Sequence, residues 1–406
     1  MIYKLAIKNT FLFLLSTMIS FGNCKKSIHP SKNNNQTNSE HNKVPIKTGA
    51  DNYEAYLPLL KDKKIGVVTN QTGILSNKTH LVDFLIGQKL AVQKIFAPEH
   101  GFRGTADAGE HVIDGKDTKT QLPIISLYGD NKKPKNEQLK DINIMVFDIQ
   151  DVGARFYTYI STLHYVMEAC AENNIPLVVL DRPNPNGTIV DGPVLEPEHK
   201  SFVGMHPIPV LHGMTIGEYA KMINGEKWLT QGIQCNLEII PCKNYSRNMA
   251  YDLPVKPSPN LPNAQAINLY ASLCLFEGTI VSVGRGTNKQ FQIYGSPYLE
   301  NHGYSFVPQP NLGAKDPLWK GRKCFGEDLS KTKKNKQLEL KWLIKAHREA
   351  STVMIPFFND FFTKLAGTKK LQEQINSGVS ETEIRKSWES GLTDFKTMRK
   401  KYLIYN

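Results

Sequence analysis

Between Lys64 and Leu180 the chain alternates short β-branched runs with segments of helical period, and this alternation restricts the fold more than any other feature. Lys64–Thr69 (KIGVVT), Lys94–Ala97 (KIFA), Leu122–Tyr128, Ile142–Phe147 and Pro176–Leu180 (PLVVL) read as strands. Their cores are nearly continuous apolar runs, the pattern of strands covered on both faces. His80–Lys89 and Thr158–Asn173 carry apolar residues at helical spacing, the second with Leu163, Val166, Met167 and Cys170 on one side. The expectation is an α/β fold, a mostly parallel sheet covered by helices.

The chemically costly residues cluster where these strands end. The segments following them are NQTG (Asn70–Gly73), PEHGFRG (Pro98–Gly104), DIQDVGARFYTY (Asp148–Tyr159) and DRPNPNG (Asp181–Gly187). The opposite connections, such as Lys89–Val92, carry nothing of the kind. Ligands of open α/β sheets bind outside the carboxyl ends of the strands, so a site is expected on that side. It does not suit a dinucleotide: NQTG has one glycine where three would be needed, Gly284-Arg285-Gly286 is isolated, and there is no P-loop. No cofactor is expected.

The formal charge of +12 suggests a nucleic-acid partner until it is divided along the chain. Residues 48–262, which hold the costly loops, have 21 Lys and Arg against 24 Asp and Glu. The basic excess lies in the leader and the last third, so no nucleic-acid groove is expected. Residues 1–23 read as a secretory signal, with Lys4 and Lys8 ahead of a short apolar run. Cys24 and the polar, asparagine-rich stretch to Lys47 resemble the acylated cysteine and tether of a bacterial lipoprotein. The departure is Asn23, which leaves cleavage after Gly22, and a free periplasmic protein, as the alternative. Five further cysteines cannot all pair in one chain, and none has zinc-ligand spacing, so no structural metal is expected.

Pro254–Pro262, with four prolines, marks a boundary between a domain over 48–262 and a second over 263–406. Thr215 and Glu218 form a capping box. Ala271–Phe276 and the glycine-rich text after it read as loops, and Leu338–Phe362, Thr368–Asn376 and Glu381–Phe395 as helices.

Six motifs in order, FAPEHGFRG, FDIQDVGARFYTY, DRPNPNG, HGMTIGE, PSPNLP and FEGTIVSVGRGT, resemble the NamZ-type exo-β-N-acetylmuramidases from about Lys64 to the C-terminus. The resemblance implies a Rossmann-like domain, a smaller α+β C-terminal domain and a cleft where they meet. It also implies release of N-acetylmuramic acid from the non-reducing end of peptidoglycan fragments. Such hydrolysis uses a carboxylic acid to protonate the leaving oxygen, and a second carboxylate or the substrate's acetamido group at the developing cation. Glu99 matches the family's Glu in Pro-Glu-His-Gly and is the expected general acid. Asp148, Asp151, Asp181 and Glu277 are candidates for the second group, although Asp148 and Asp181 also suit helix capping. His100 and Arg103 flank Glu99; a cation beside a general acid lowers its pKa, so Arg103 is expected to point away. For the lactyl carboxylate of muramic acid the candidates are Arg155, Arg182 and Arg285, because a guanidinium fork matches a carboxylate. Tyr157 and Tyr159 are candidates to stack on the sugar, with Phe156 a core position; Asn184 and His212 complete the substrate-binding set. The competing class is a non-catalytic, envelope-anchored sugar-binding protein, against which the intact PEHG motif speaks.

Overall fold

A computed structural model describes residues 44–102, 114–350 and 354–406. The leader with Cys24, and Arg103, lie outside the described residues. The strands in chain order are β1 (Lys64–Thr69), β2 (Ala91–Ala97), β3 (Gly115–Lys116), β4 (Pro123–Ser126), β5 (Ile144–Asp148), β6 (Leu177–Leu180), β7 (Asp191–Val194), β8 (Pro209–Leu211), β9 (Leu237–Ile240), β10 (Ile293–Ser296), β11 (Ser305–Phe306) and β12 (Cys324–Asp328).

Side-chain alternation along these strands sets the layers. In β5, Ile144 and Val146 enter one apolar core while Met145 and Phe147 enter another; in β6, Val178 and Leu180 join the first, and Leu177 and Val179 the second. A strand with both faces apolar must lie between two layers. Helices Tyr53–Leu60 and Leu81–Gly87 cover the first face. Helices Tyr159–Glu172 and Ile216–Gly225 cover the second. The sheet runs β3-β4-β2-β1-β5-β6-β9, parallel throughout except for the two-residue edge strand β3. Strand order switches between β1 and β5, and the segments leaving those two strands are tied together, the Gln150 N–H donating to Thr72 Oγ at 3.0 Å. The mostly parallel α/β architecture is as expected.

Past Pro262 the chain builds a three-stranded antiparallel sheet, β10-β12-β11, and a set of helices; residues 44–406 form one unit. Three expectations fail here. Ala271–Phe276 is not a loop: Asn263 caps a helix, Ala264–Leu273, by accepting from the Ala266 N–H at 2.9 Å, and the chain tightens into a 3₁₀ segment, Cys274–Gly278. Leu338–Phe362 is not one helix either. Lys341–Glu349 stops, and Phe361–Ala366 starts beyond Pro356, which disfavours helix at the residues just before it. The last helix divides likewise, into Glu381–Lys386 and Glu389–Lys400.

Candidate active site

Glu99 is positioned by the abrupt end of β2. Pro98 stops the ladder, and the Gly101 N–H returns to the Pro98 carbonyl at 3.0 Å. The turn so formed holds His100 at φ 71° and Gly101 at φ 73°. A buried non-glycine residue in the left-handed region is strained, and here the strain sits directly beside a carboxylate. His100 is packed inside, and the Glu99 side chain faces a cleft of about 710 Å³. Its Oε2 accepts a hydrogen bond from Thr158 Oγ at 2.8 Å, so the segment after β5 fixes the carboxylate delivered by β2.

Tyr128 and Phe202 form an aromatic wall of the cleft, their rings 6.2 Å apart, with Tyr165 stacked on Phe202 from behind. The other side comes from past the proline-rich segment: Tyr270 and Cys274 at the end of helix Ala264–Leu273, then Glu277 and Arg285, and the turn from Gly313 to Leu318. Glu277 Oε1 receives Arg285 Nε at 2.5 Å, and the Cys274 thiol lies 3.5 Å from Glu277 Oε2. Burial would lower the Arg285 pKa, but the Glu277 carboxylate raises it on balance. The cleft therefore holds two carboxylates, Glu99 accepting from Thr158 and Glu277 locked to Arg285.

Most of the other candidate residues are elsewhere, and each has a physical occupation. Arg155 is wholly buried: Nη1 donates to the carbonyls of Pro193 (2.8 Å) and Ile208 (2.7 Å), Nη2 to those of Leu365 (2.9 Å) and Ala366 (2.7 Å). It staples the β7–β8 hairpin to helix Phe361–Ala366, which corrects its assignment as a reader of substrate. Arg182 and Asp148 face each other as a buried fork, Nε to Oδ1 at 2.6 Å and Nη2 to Oδ2 at 2.9 Å, leaving neither to a sugar. Asp181 is fully buried and accepts from Thr215 Oγ (2.7 Å), Gly217 N (2.8 Å) and Tyr405 Oη (2.7 Å), so it is a cap and not a catalytic carboxylate. Burial outweighs those bonds and moves its pKa up to about 6.

Tyr157 and Tyr159 donate to the Pro257 carbonyl at 2.8 and 3.2 Å and pack edge-on against each other. They tie the segment after β5 to the proline-rich crossover and have no free face for a sugar. Phe156, in contrast, is a core residue whose exposed margin lines the cleft. Asn184 spends its amide on the Met214 carbonyl and the Asn186 N–H at 2.8 Å each. Gly153, at φ 77°, permits this approach, since a Cβ there would lie 2.3 Å from Asn184 Nδ2. Asp151 and His212 are buried together, with Oδ2 and Nε2 3.7 Å apart. Burial pushes the Asp151 pKa up to about 7 and that of His212 down to about 3, which favours a neutral imidazole. The capping box of Thr215 and Glu218 is present, with Glu218 further held by Arg247. Of the candidates in the described residues, Glu99, Glu277 and Arg285 therefore share the cleft. Thr158, Tyr128, Phe202 and Tyr270 were not singled out from the sequence; only the position of Tyr128 and Thr158 at or just past strand ends was a signal.

Residues 65–265 match the family model described as exo-beta-N-acetylmuramidase NamZ, N-terminal, and residues 268–405 match its C-terminal counterpart. The chain is 40% identical to the peptidoglycan beta-N-acetylmuramidase NamZ of Bacillus subtilis over 420 aligned positions, spanning 98% of this chain and 100% of the relative. Among solved structures it is similar to a DUF1343 family protein from Bacteroides fragilis, at 44% identity and a TM-score of 0.83. A second DUF1343 protein from that organism gives 29% and 0.77, and each comparison covers 89% of this chain and 99% of the other.

Proposed function

The chain belongs to the exo-β-N-acetylmuramidase NamZ family, and from that membership we infer that it is a glycoside hydrolase releasing N-acetylmuramic acid from non-reducing ends of peptidoglycan fragments. The observation that carries a mechanism is the convergence of Glu99 and Glu277 on one cleft from opposite halves of the molecule. Glu99, delivered into the cleft by the end of β2 and held there by Thr158, takes the general acid's part and protonates the leaving oxygen. Glu277, ion-paired with Arg285, suits the developing positive charge at the anomeric carbon. Tyr128 and Phe202 offer apolar surface to a sugar face.

Glu99→Gln is expected to cut turnover of a muramic acid glycoside with a poor leaving group by ~10²–10⁴ while sugar binding changes only several-fold. Retention of more than about a tenth of the wild-type kcat would remove Glu99 from the acid's role. Absence of turnover by the wild-type protein would favour a sugar-binding protein instead.

Localisation is a separate proposal. The leader, Cys24 and the polar stretch after it support export and lipid attachment at Cys24, which would hold the enzyme in the bacterial cell envelope, on the periplasmic side.

A further inference from the structure

Arg285 has an atom the cleft description leaves unused. Its Nε is committed to Glu277 and its guanidinium lies over the Phe291 ring, 5.1 Å from the centroid, so the fork is held in one plane. Nη1 is buried and has no hydrogen-bond partner. A buried charged donor left unpaired is unfavourable and is ordinarily satisfied by a ligand or solvent. Beside it opens a side chamber of about 210 Å³, lined by Thr279, Val281, Ser282, Val283 and Asn359 and sharing Glu277, Arg285 and Leu318 with the main cleft. That volume is below the roughly 300 Å³ at which pockets for whole small-molecule ligands begin, so it suits a substituent and not a ring.

We propose that this chamber is the subsite for the lactyl group of muramic acid, with Arg285 Nη1 donating to its carboxylate and Val281, Val283 and Leu318 packing against its methyl. The proposal rests on the muramidase reading above and adds where the distinguishing substituent goes. The chemistry required is a short apolar arm ending in an acid, and the chamber supplies both parts. A guanidinium presents five N–H donors, so serving Glu277 through Nε leaves donors for a second carboxylate on another edge. Because Glu277 and Phe291 already fix the side chain, little rotamer freedom is lost on binding. Glu277 thus has a second use beyond charge at the anomeric carbon, as the orienting partner of the arginine. The acetamido group is the rival occupant, but it is neutral and is present in N-acetylglucosamine as well.

The test uses the purified full-length protein and three aryl β-glycosides with one leaving group: N-acetylmuramic acid, its lactyl amide, and N-acetylglucosamine. Wild type is expected to prefer the acid to the amide. Arg285→Ala also releases Glu277 and so should slow all three substrates, but the acid should lose a further ~10- to 100-fold in kcat/KM relative to the other two, so that the acid-to-amide preference disappears. Arg285→Lys keeps charge without the fork and should recover part of the loss. Arg285→Gln, which can still bond Glu277, replaces the alanine variant if that one does not fold. An acid-to-amide preference unchanged in Arg285→Ala or Arg285→Gln overturns the proposal. If wild type cleaves none of the glycosides, the muramidase reading falls; calorimetric binding of N-acetylmuramic acid against its amide still decides the chamber.

Discussion

Replacing Arg155 should damage the fold and spare the chemistry. The guanidinium is wholly buried with no carboxylate beside it, and its four donated bonds of 2.7–2.9 Å all end on backbone carbonyls. A hydrogen bond to a charged group contributes ~1.5–3 kcal/mol, but desolvating the guanidinium offsets several kcal/mol of that sum. Arg155→Ala removes both terms, then leaves four buried carbonyls to share whatever water enters the space. Each unsatisfied carbonyl costs about 1–3 kcal/mol, so a loss on the order of 4 kcal/mol is expected once partial hydration is allowed for. The carbonyls belong to two elements, the β7–β8 hairpin and the end of helix Phe361–Ala366, so the lesion should loosen the seam between them. Urea unfolding at neutral pH reads the loss as a fall in the midpoint with little change in slope. The companion assay is kcat/KM on a muramic acid glycoside and on its lactyl amide, in conditions where the variant is folded. Arg155→Lys, with three donors in a different geometry, should restore only part of the stability. A stability loss below about 1 kcal/mol together with a changed acid-to-amide ratio would refute the staple and return Arg155 to the substrate.

Two further outcomes are expected. Asp151 is buried with a pKa raised to about 7, above its unfolded value near 3.8, so the folded state holds the proton more tightly and ionisation destabilises it as pH rises from about 4 to 7. Asp151→Asn should therefore gain stability over wild type by a few kcal/mol at pH 8, with the gain vanishing near pH 4 in paired urea titrations; an equal difference at both pH values would contradict this. Cys24→Ser should move the protein from the membrane fraction to the soluble periplasmic one, and the wild-type mature chain should carry acyl mass on Cys24. A mature N-terminus at Asn23 without acyl mass would establish signal cleavage after Gly22.

The parallel sheet was legible because its strands are buried on both faces, and a run such as Ile144–Phe147 has few other ways to satisfy itself. The side of the sheet that bears the site was legible from where Glu99 and its neighbours fall. The occupation of the charged residues was not. Arg155, Arg182 and Arg285 look equivalent in the sequence, each beside glycines, prolines or aromatics. What separates them is the set of acceptors within reach, four carbonyls, one aspartate, or a glutamate at a cavity, and every one of those partners is brought by tertiary packing. The same holds for Asp148 and Asp181, whose position at a strand's end suits catalysis and capping equally until the opposing donor is known. Helix Ala264–Leu273 was missed because its cap, Asn263, follows a proline-rich stretch that reads as loop throughout.

The distribution of strain and charge explains why the cleft needs both halves of the chain. The sheet supplies a carboxylate on a strained turn at the carboxyl end of β2, where Thr158 Oγ donates to it. Among the described residues, the two arginines on the segments after β5 and β6 are not offered to an acidic substrate: one is a backbone staple and the other is paired with Asp148. Cations buried for stability must be satisfied internally and so cannot also be offered to a ligand. Arg285 differs because its element, past the proline-rich crossover, holds it by one edge with Glu277 while its buried Nη1 has no partner and the residue lines a side chamber. The acid and the arginine are thus contributed by elements that share no local structure, and only their packing across the crossover, tied by Tyr157 and Tyr159 to Pro257, sets their spacing. On the proposed assignment, the charge of the substrate is read by the second half and the leaving oxygen is protonated by the first.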